Sequence, residues 1–148
     1  MKVMRRCFPI FLAVLAVSIG AAASEETPLA ELLKRAESAP MGERPALYID
    51  IAERQLKAAD DLYNTGKVDD AGKAVKDVVT YSEKARDAAV QSGKRLKPTE
   101  IAVRRMSLKL RDIRRTLNFD DQPPVQAAAE RLQSLADDLL SHMFGKGK

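Results

Sequence analysis

The chain has a single histidine, His142, and a single cysteine, Cys7. Zinc takes three or four nitrogen, sulfur or carboxylate ligands, and one histidine without a cysteine beside it falls short of that set. A serine–histidine–acid relay would need His142 as its base. That residue stands at the end of the last helical segment, where nothing preorganises it. The acid pairs Asp60-Asp61 and Asp69-Asp70 could attract calcium, but they lack the alternate-residue spacing of a calcium loop and read as solvated helix ends. Arg104, Arg111 and Glu100 could bind a small polyanion, yet the sequence offers no matching pocket. No catalytic, cofactor-binding or metal-ligating residue is assigned, no cofactor is expected, and binding is expected in place of catalysis.

The local chemistry lies in the charge of Lys94–Arg115. Nine cations (Lys94, Arg95, Lys97, Arg104, Arg105, Lys109, Arg111, Arg114 and Arg115) stand there against Glu100 and Asp112. Few aromatic residues interleave with them, so stacking on single-stranded nucleic acid has little support. At about 100° per residue, Val103, Met106, Leu110, Ile113 and Leu117 share one side of a helix and define its core seam. Ile101 and Leu108 fall nearly opposite, seven residues apart on one face, with Arg104, Arg105, Arg111 and Arg115 around them. Two explanations are open. A short first helix could cover the pair with Leu29, Leu32 and Leu33 while Glu26, Glu31 and Glu37 meet the arginines. Alternatively the face docks a partner, with the aliphatics as anchors and the guanidinium groups as a rim for carboxylates or phosphates.

The elements that must position this face follow from periodicity. Ile49, Ala52, Leu56, Ala59 and Tyr63 recur at helical spacing, as do Val68, Ala71, Val75, Val78, Ser82, Ala85 and Ala89. Between them, Asn64-Thr65-Gly66-Lys67 is a turn in which Gly66 closes the first helix. The two arms therefore fold back antiparallel. Before them, Thr27 as cap and Pro28 at the first helical position predict a short helix with Leu29, Leu32, Leu33 and Ala36 as its stripe, ending before Pro40. Helix two is expected from about Pro45 to Thr65 and helix three from about Val68 to Ser92. Pro98 can open helix four, which stops near Asn118. Asp121 or Gln122 caps helix five, whose seam is Val125, Ala128, Leu132, Leu135 and Leu139, widened by Ala129, Ala136, Leu140 and Met143. No stretch alternates as a surface strand does.

Residues 1–23 read as a signal peptide: a basic start with Lys2, Arg5 and Arg6, an apolar run from Phe8 to Gly20, and Ala21-Ala22-Ala23 before a cleavage point at Ser24. The run is shorter than the ~20 residues of a spanning helix. The leader holds three cations and no acid, so the mature chain keeps 22 Lys plus Arg against 21 Asp plus Glu. The high isoelectric point then belongs mostly to the leader and gives no global argument for nucleic-acid binding. Without Cys7 the mature chain has no cysteine and relies on its core. Residues 24–148 are long enough to bury one.

Two families share local features with the chain. At Gly66-Lys67-Val68-Asp69-Asp70-Ala71 the hairpin resembles a tetratricopeptide repeat, which turns at a glycine followed five residues on by alanine. Ala59 and Leu62 stand where that family has a small and a large packing residue. Gln55 and Val78 depart from its pattern, where it prefers a large aromatic and an alanine, and no second copy follows. The resemblance implies a shared hairpin geometry. Met41 before helix two and His142 near the end of helix five are similar in placement to the ligands of periplasmic haem-binding four-helix bundles, which would imply a haem between them. The chain as a whole also resembles exported helical proteins of bacteria, a likeness of type that names no activity.

The expected protein is all-α: an antiparallel four-helix bundle with a short extra N-terminal helix, in a single domain of residues 24–148 after the leader. A less regular array of stacked hairpins is the alternative arrangement. It is expected to be exported, periplasmic or secreted, to have no transmembrane span after cleavage, and to bind a protein or an anionic envelope component but no specific nucleic acid. The competing class is a small-molecule enzyme or haem carrier built on the same bundle.

Overall fold

A computed structural model describes residues 27–145 as five α-helices and one short 3-10 turn. The helices are α1 (Leu29–Ser38), α2 (Arg44–Asn64), α3 (Val68–Ser92), α4 (Leu96–Thr116) and α5 (Gln122–Phe144), with the 3-10 turn Phe119–Asp121 before α5. The four long helices form an antiparallel bundle, and α1 is the short addition. The expected leader, its cleavage point before Ser24 and the terminal Lys146-Gly147-Lys148 lie outside the described residues.

On α3 and α5 the seams are where periodicity places them, whereas on α2 Tyr48 and Ile51 are buried beside Ala52, Leu56 and Ala59, with Ile49 and Tyr63 half-buried, and Leu29 of α1 is exposed. All of the α3 series from Ala71 to Ala89 is buried, and Val68 is half-buried. On α5, Val125, Ala128, Ala129, Leu132, Leu135, Ala136 and Leu139 are buried, whereas Leu140 is exposed. The first hairpin is closed by small residues: Ala52 and Ala59 on α2 face a helix whose buried side chains include Ala71, Ala74, Ala85, Ala88 and Ala89. Small contact residues let helix axes approach toward the short end of the ~8–10 Å range. The bulk of the core comes from the second hairpin, through Met106, Leu110, Ile113, Leu132, Leu135 and Leu139.

Helix ends are made by the backbone more than by side chains. At the α2–α3 turn Gly66 has φ 76°. Its N–H donates to the Tyr63 carbonyl at 3.1 Å, and that of Lys67 donates to Leu62 at 2.9 Å. This is the Schellman arrangement, and it satisfies two carbonyls that the helix leaves free. The expected caps at the other ends are corrected. Thr27 does not cap α1, which starts after Pro28, and no side chain caps it; Asp121 stands at the N-cap position of α5, but no side chain caps that helix either. Helix α4 starts at Leu96, two residues before Pro98, from an Arg95 held at φ 60°. A left-handed non-glycine residue costs roughly 1–2 kcal/mol. Here it follows Gly93 at φ 64°, so two reversals within three residues turn the chain from α3 into α4.

Cross-helix pairs give the topology. Glu53–Arg105 and Asp60–Lys109 join α2 to α4, and Glu83–Arg131 and Arg86–Asp138 join α3 to α5. In both cases the residue numbers rise together, so those helices run parallel. Between α4 and α5 they run in opposite senses: Ser107 pairs with Ala129, and Arg104 with Asp137. The bundle is thus two antiparallel hairpins, α2–α3 and α4–α5, laid on one another so that α5 packs on α3 and α4 on α2. Helices α2 and α5 barely touch.

Candidate interaction surfaces

Helix α4 buries Val103, Met106, Leu110 and Ile113, and that rotation turns Ile101 and Leu108 outward, 49% and 52% exposed. The predicted face therefore exists as a face. The suggestion that α1 covers it is corrected. Leu32 and Ala36 of α1 pack instead with Tyr48 and Ile51 of α2 and Ala85 and Ala88 of α3, with Leu33 against them. Glu31 and Glu37 are exposed, and Glu26 lies outside the described residues. The reason lies in two arginines. Arg44 donates to the carbonyls of Ala39 at 2.8 Å and Glu37 at 2.9 Å, at the C-terminal end of α1. Arg54 donates to the Thr27 carbonyl at 2.5 Å, ahead of its N-terminal end. Both ends of α1 are thereby tied to α2.

Four of the seven cations of α4 have ion-pair partners, and these come from α2, α5 and α4 itself. The Arg104 guanidinium bonds Glu100 at 2.6 Å and Asp137 at 3.2 Å. Those two carboxylates, Glu100 first, hold Arg104 above its ordinary guanidinium value. Arg105 meets Glu53 at 2.6 Å, Lys109 meets Asp60 at 2.8 Å, and Arg115 meets Asp112 at 3.3 Å. The hydrogen bond that the Lys109 ammonium donates to Asp60 raises that ammonium above its ordinary value as well. Half-buried Arg111 has no ion-pair partner among the described residues. The six residues singled out on α4 are thus brought onto adjoining parts of one helix surface, with three of the four arginines already engaged.

A second surface was not legible in the sequence. The N-terminal halves of α3 and α5 flank an open groove of about 950 Å³. Its apolar lining includes Val75, Val79, Ala127, Ala128 and Tyr63, and its charged lining includes Asp69, Asp120 and Asp121 together with Lys73, Lys76 and Arg131. Burial, and secondarily Asp121, pushes the Tyr63 phenol above its ordinary value. Phe119, next to the acidic turn, is 85% exposed.

Of the weaker candidates, Asp60 is spent on Lys109 and Asp70 on Lys73 at 2.9 Å. Among the described residues no group of three or more His, Cys, Asp or Glu converges as a metal would require. His142 has its Nδ1 2.9 Å from the Asp138 carbonyl on its own helix, and Met41 is 38% exposed in the turn before α2. Among the described residues no helix is long and apolar enough to cross a membrane. Comparison with family models, curated proteins and solved structures finds no match.

Proposed function

We propose that this is an exported, non-enzymatic protein that works by docking another protein on the outer face of α4. The observation that carries the reading is the pair Ile101 and Leu108, each about half exposed on one helix face, with the Arg105 side chain, 68% exposed, between them. An aliphatic pair one heptad apart is the spacing by which a helix anchors in a hydrophobic groove. The arginines supply a rim that favours partner carboxylates. A purely anionic envelope component is the weaker partner, because it must first displace Glu53, Asp112 and Asp137 from the guanidinium groups. In this reading the leader is removed before Ser24 and the mature chain meets its partner outside the cytoplasm.

The test is capture from the native envelope with the wild-type chain and with Ile101→Ser/Leu108→Ser. Both side chains are already half exposed, so the double change should cost no more than about 1 kcal/mol. The partner captured by the wild type should be lost while the fold and its melting temperature hold. Unchanged capture by a folded double variant contradicts the proposal.

A further inference from the structure

The groove between α3 and α5 has its charges sorted along its length. On α3 the order is Asp69, then Lys73 and Lys76; along the 3-10 turn and α5 it is Asp120 and Asp121, then Arg131. Because the two helices run parallel, both acidic ends lie together; Lys73 and Lys76 follow Asp69 by about one and two turns, and Arg131 follows Asp121 by nearly three. The acidic end also carries the 3-10 turn that exposes Phe119. Lys76 has no ion-pair partner among the described residues, and Lys73 is held only by Asp70, an exposed neighbour on its own helix that a competing carboxylate can replace.

We propose that this groove is a self-complementary interface in which a second copy of this chain docks about a two-fold axis. A two-fold rotation across the groove sets the acidic end of each copy on the basic end of the other. It is the operation by which a single patch satisfies itself. It places Asp69 and Asp120 of one copy against Lys73 and Lys76 of its partner, twice over. It also carries each Phe119 toward the far end of the partner's groove, where Val79 offers apolar surface and the guanidinium of Arg131, which Glu83 holds at 2.7 Å through its Nε, offers a face to the ring. The α3 edge from Val68 to Thr80 is about 20 Å long, a short line of contact. Register must then come from charge and from the one aromatic anchor. The interface uses none of the residues of the α4 face, so the two proposals stand or fall separately.

The test is sedimentation equilibrium of the purified protein and of three variants whose substitutions all lie on exposed positions, each checked for native helix content. The wild type should be a dimer that dissociates on dilution and in high salt. Phe119→Ser should weaken the dimer at least tenfold. Lys73→Glu/Lys76→Glu and Asp69→Lys/Asp120→Lys should each be monomeric alone, because each sets like charges together at both ends. Mixed, they should form a heterodimer, since reversal on both sides restores attraction at both ends. A wild type that stays monomeric throughout, or folded charge variants that do not pair when mixed, overturns the proposal and leaves the groove to a different occupant.

Discussion

Ser82 and Ser107 are both fully buried, on α3 and α4, and their hydroxyls have opposite fates. The Ser107 hydroxyl donates to the Ala129 carbonyl on α5 at 2.7 Å. The Ser82 hydroxyl has no hydrogen-bond partner among the described residues. An intramolecular hydrogen bond contributes about 1 kcal/mol net, and a buried polar group without one costs about 1–3 kcal/mol. Ser107→Ala should therefore lower the stability of the bundle by about 1 kcal/mol, while Ser82→Ala should leave it unchanged or raise it by a similar amount. Urea unfolding of the two variants measures both shifts at equal slope. Losses of the same size at both positions would show that the partner on α5 is not what distinguishes them. Residue-scale identity did not predict this contrast. Ser82 falls in the seam by period, but Ser107 lies beside it, and its acceptor is on a helix whose approach periodicity does not specify.

At the scale of elements, the phase of α3 is the firmest inference. Val75 is 2% exposed in the main core cluster, and Lys76, one position on, is exposed. Val75→Asp should cost several kcal/mol by burying an unpaired charge, and Lys76→Ala no more than about 0.5 kcal/mol. Thermal or urea unfolding checks it, and comparable losses at the two sites would contradict the helical phase. Helices and seams were legible because an apolar stripe and a glycine turn are local properties. The α3 bounds, for example, follow from Gly66, Gly93 and the period between them. The two missed starts have a physical reason as well. Proline tolerates any position of the first turn, so Pro28 and Pro98 marked the regions but not the boundary residues. The placement of α1 was misjudged because leucines on a short stripe fit any apolar face. What decides between faces is where Arg44 and Arg54 find free carbonyls, and no hydropathy pattern records that. The groove stayed hidden for a similar reason, since the parallel contact of α3 and α5 is a matter of topology, which antiparallel connections alone leave open.

Over the whole molecule, the basic helix and the acidic ones balance. The cations of α4 reach Glu53 and Asp60 on one side and Asp137 on the other, and Arg86 and Arg131 do the same between α3 and α5. Exposed pairs of this kind contribute roughly 0–1 kcal/mol each. Their greater effect is to set which hairpin faces meet and in which direction, because reversing one hairpin would put these partners out of reach. The aliphatic pair Ile101 and Leu108 stays about half exposed beside those pairs, and the central claim is that a partner protein uses it. Site-specific photocross-linking in the native envelope tests that most directly, with a photoreactive side chain at position 101 or 108 and, as controls, at exposed Lys34 on α1 or Asp77 on α3. A discrete adduct of one partner from positions 101 and 108, and none from the control positions, is the predicted result. No adduct from either α4 position, or the same adducts from all four, would contradict it.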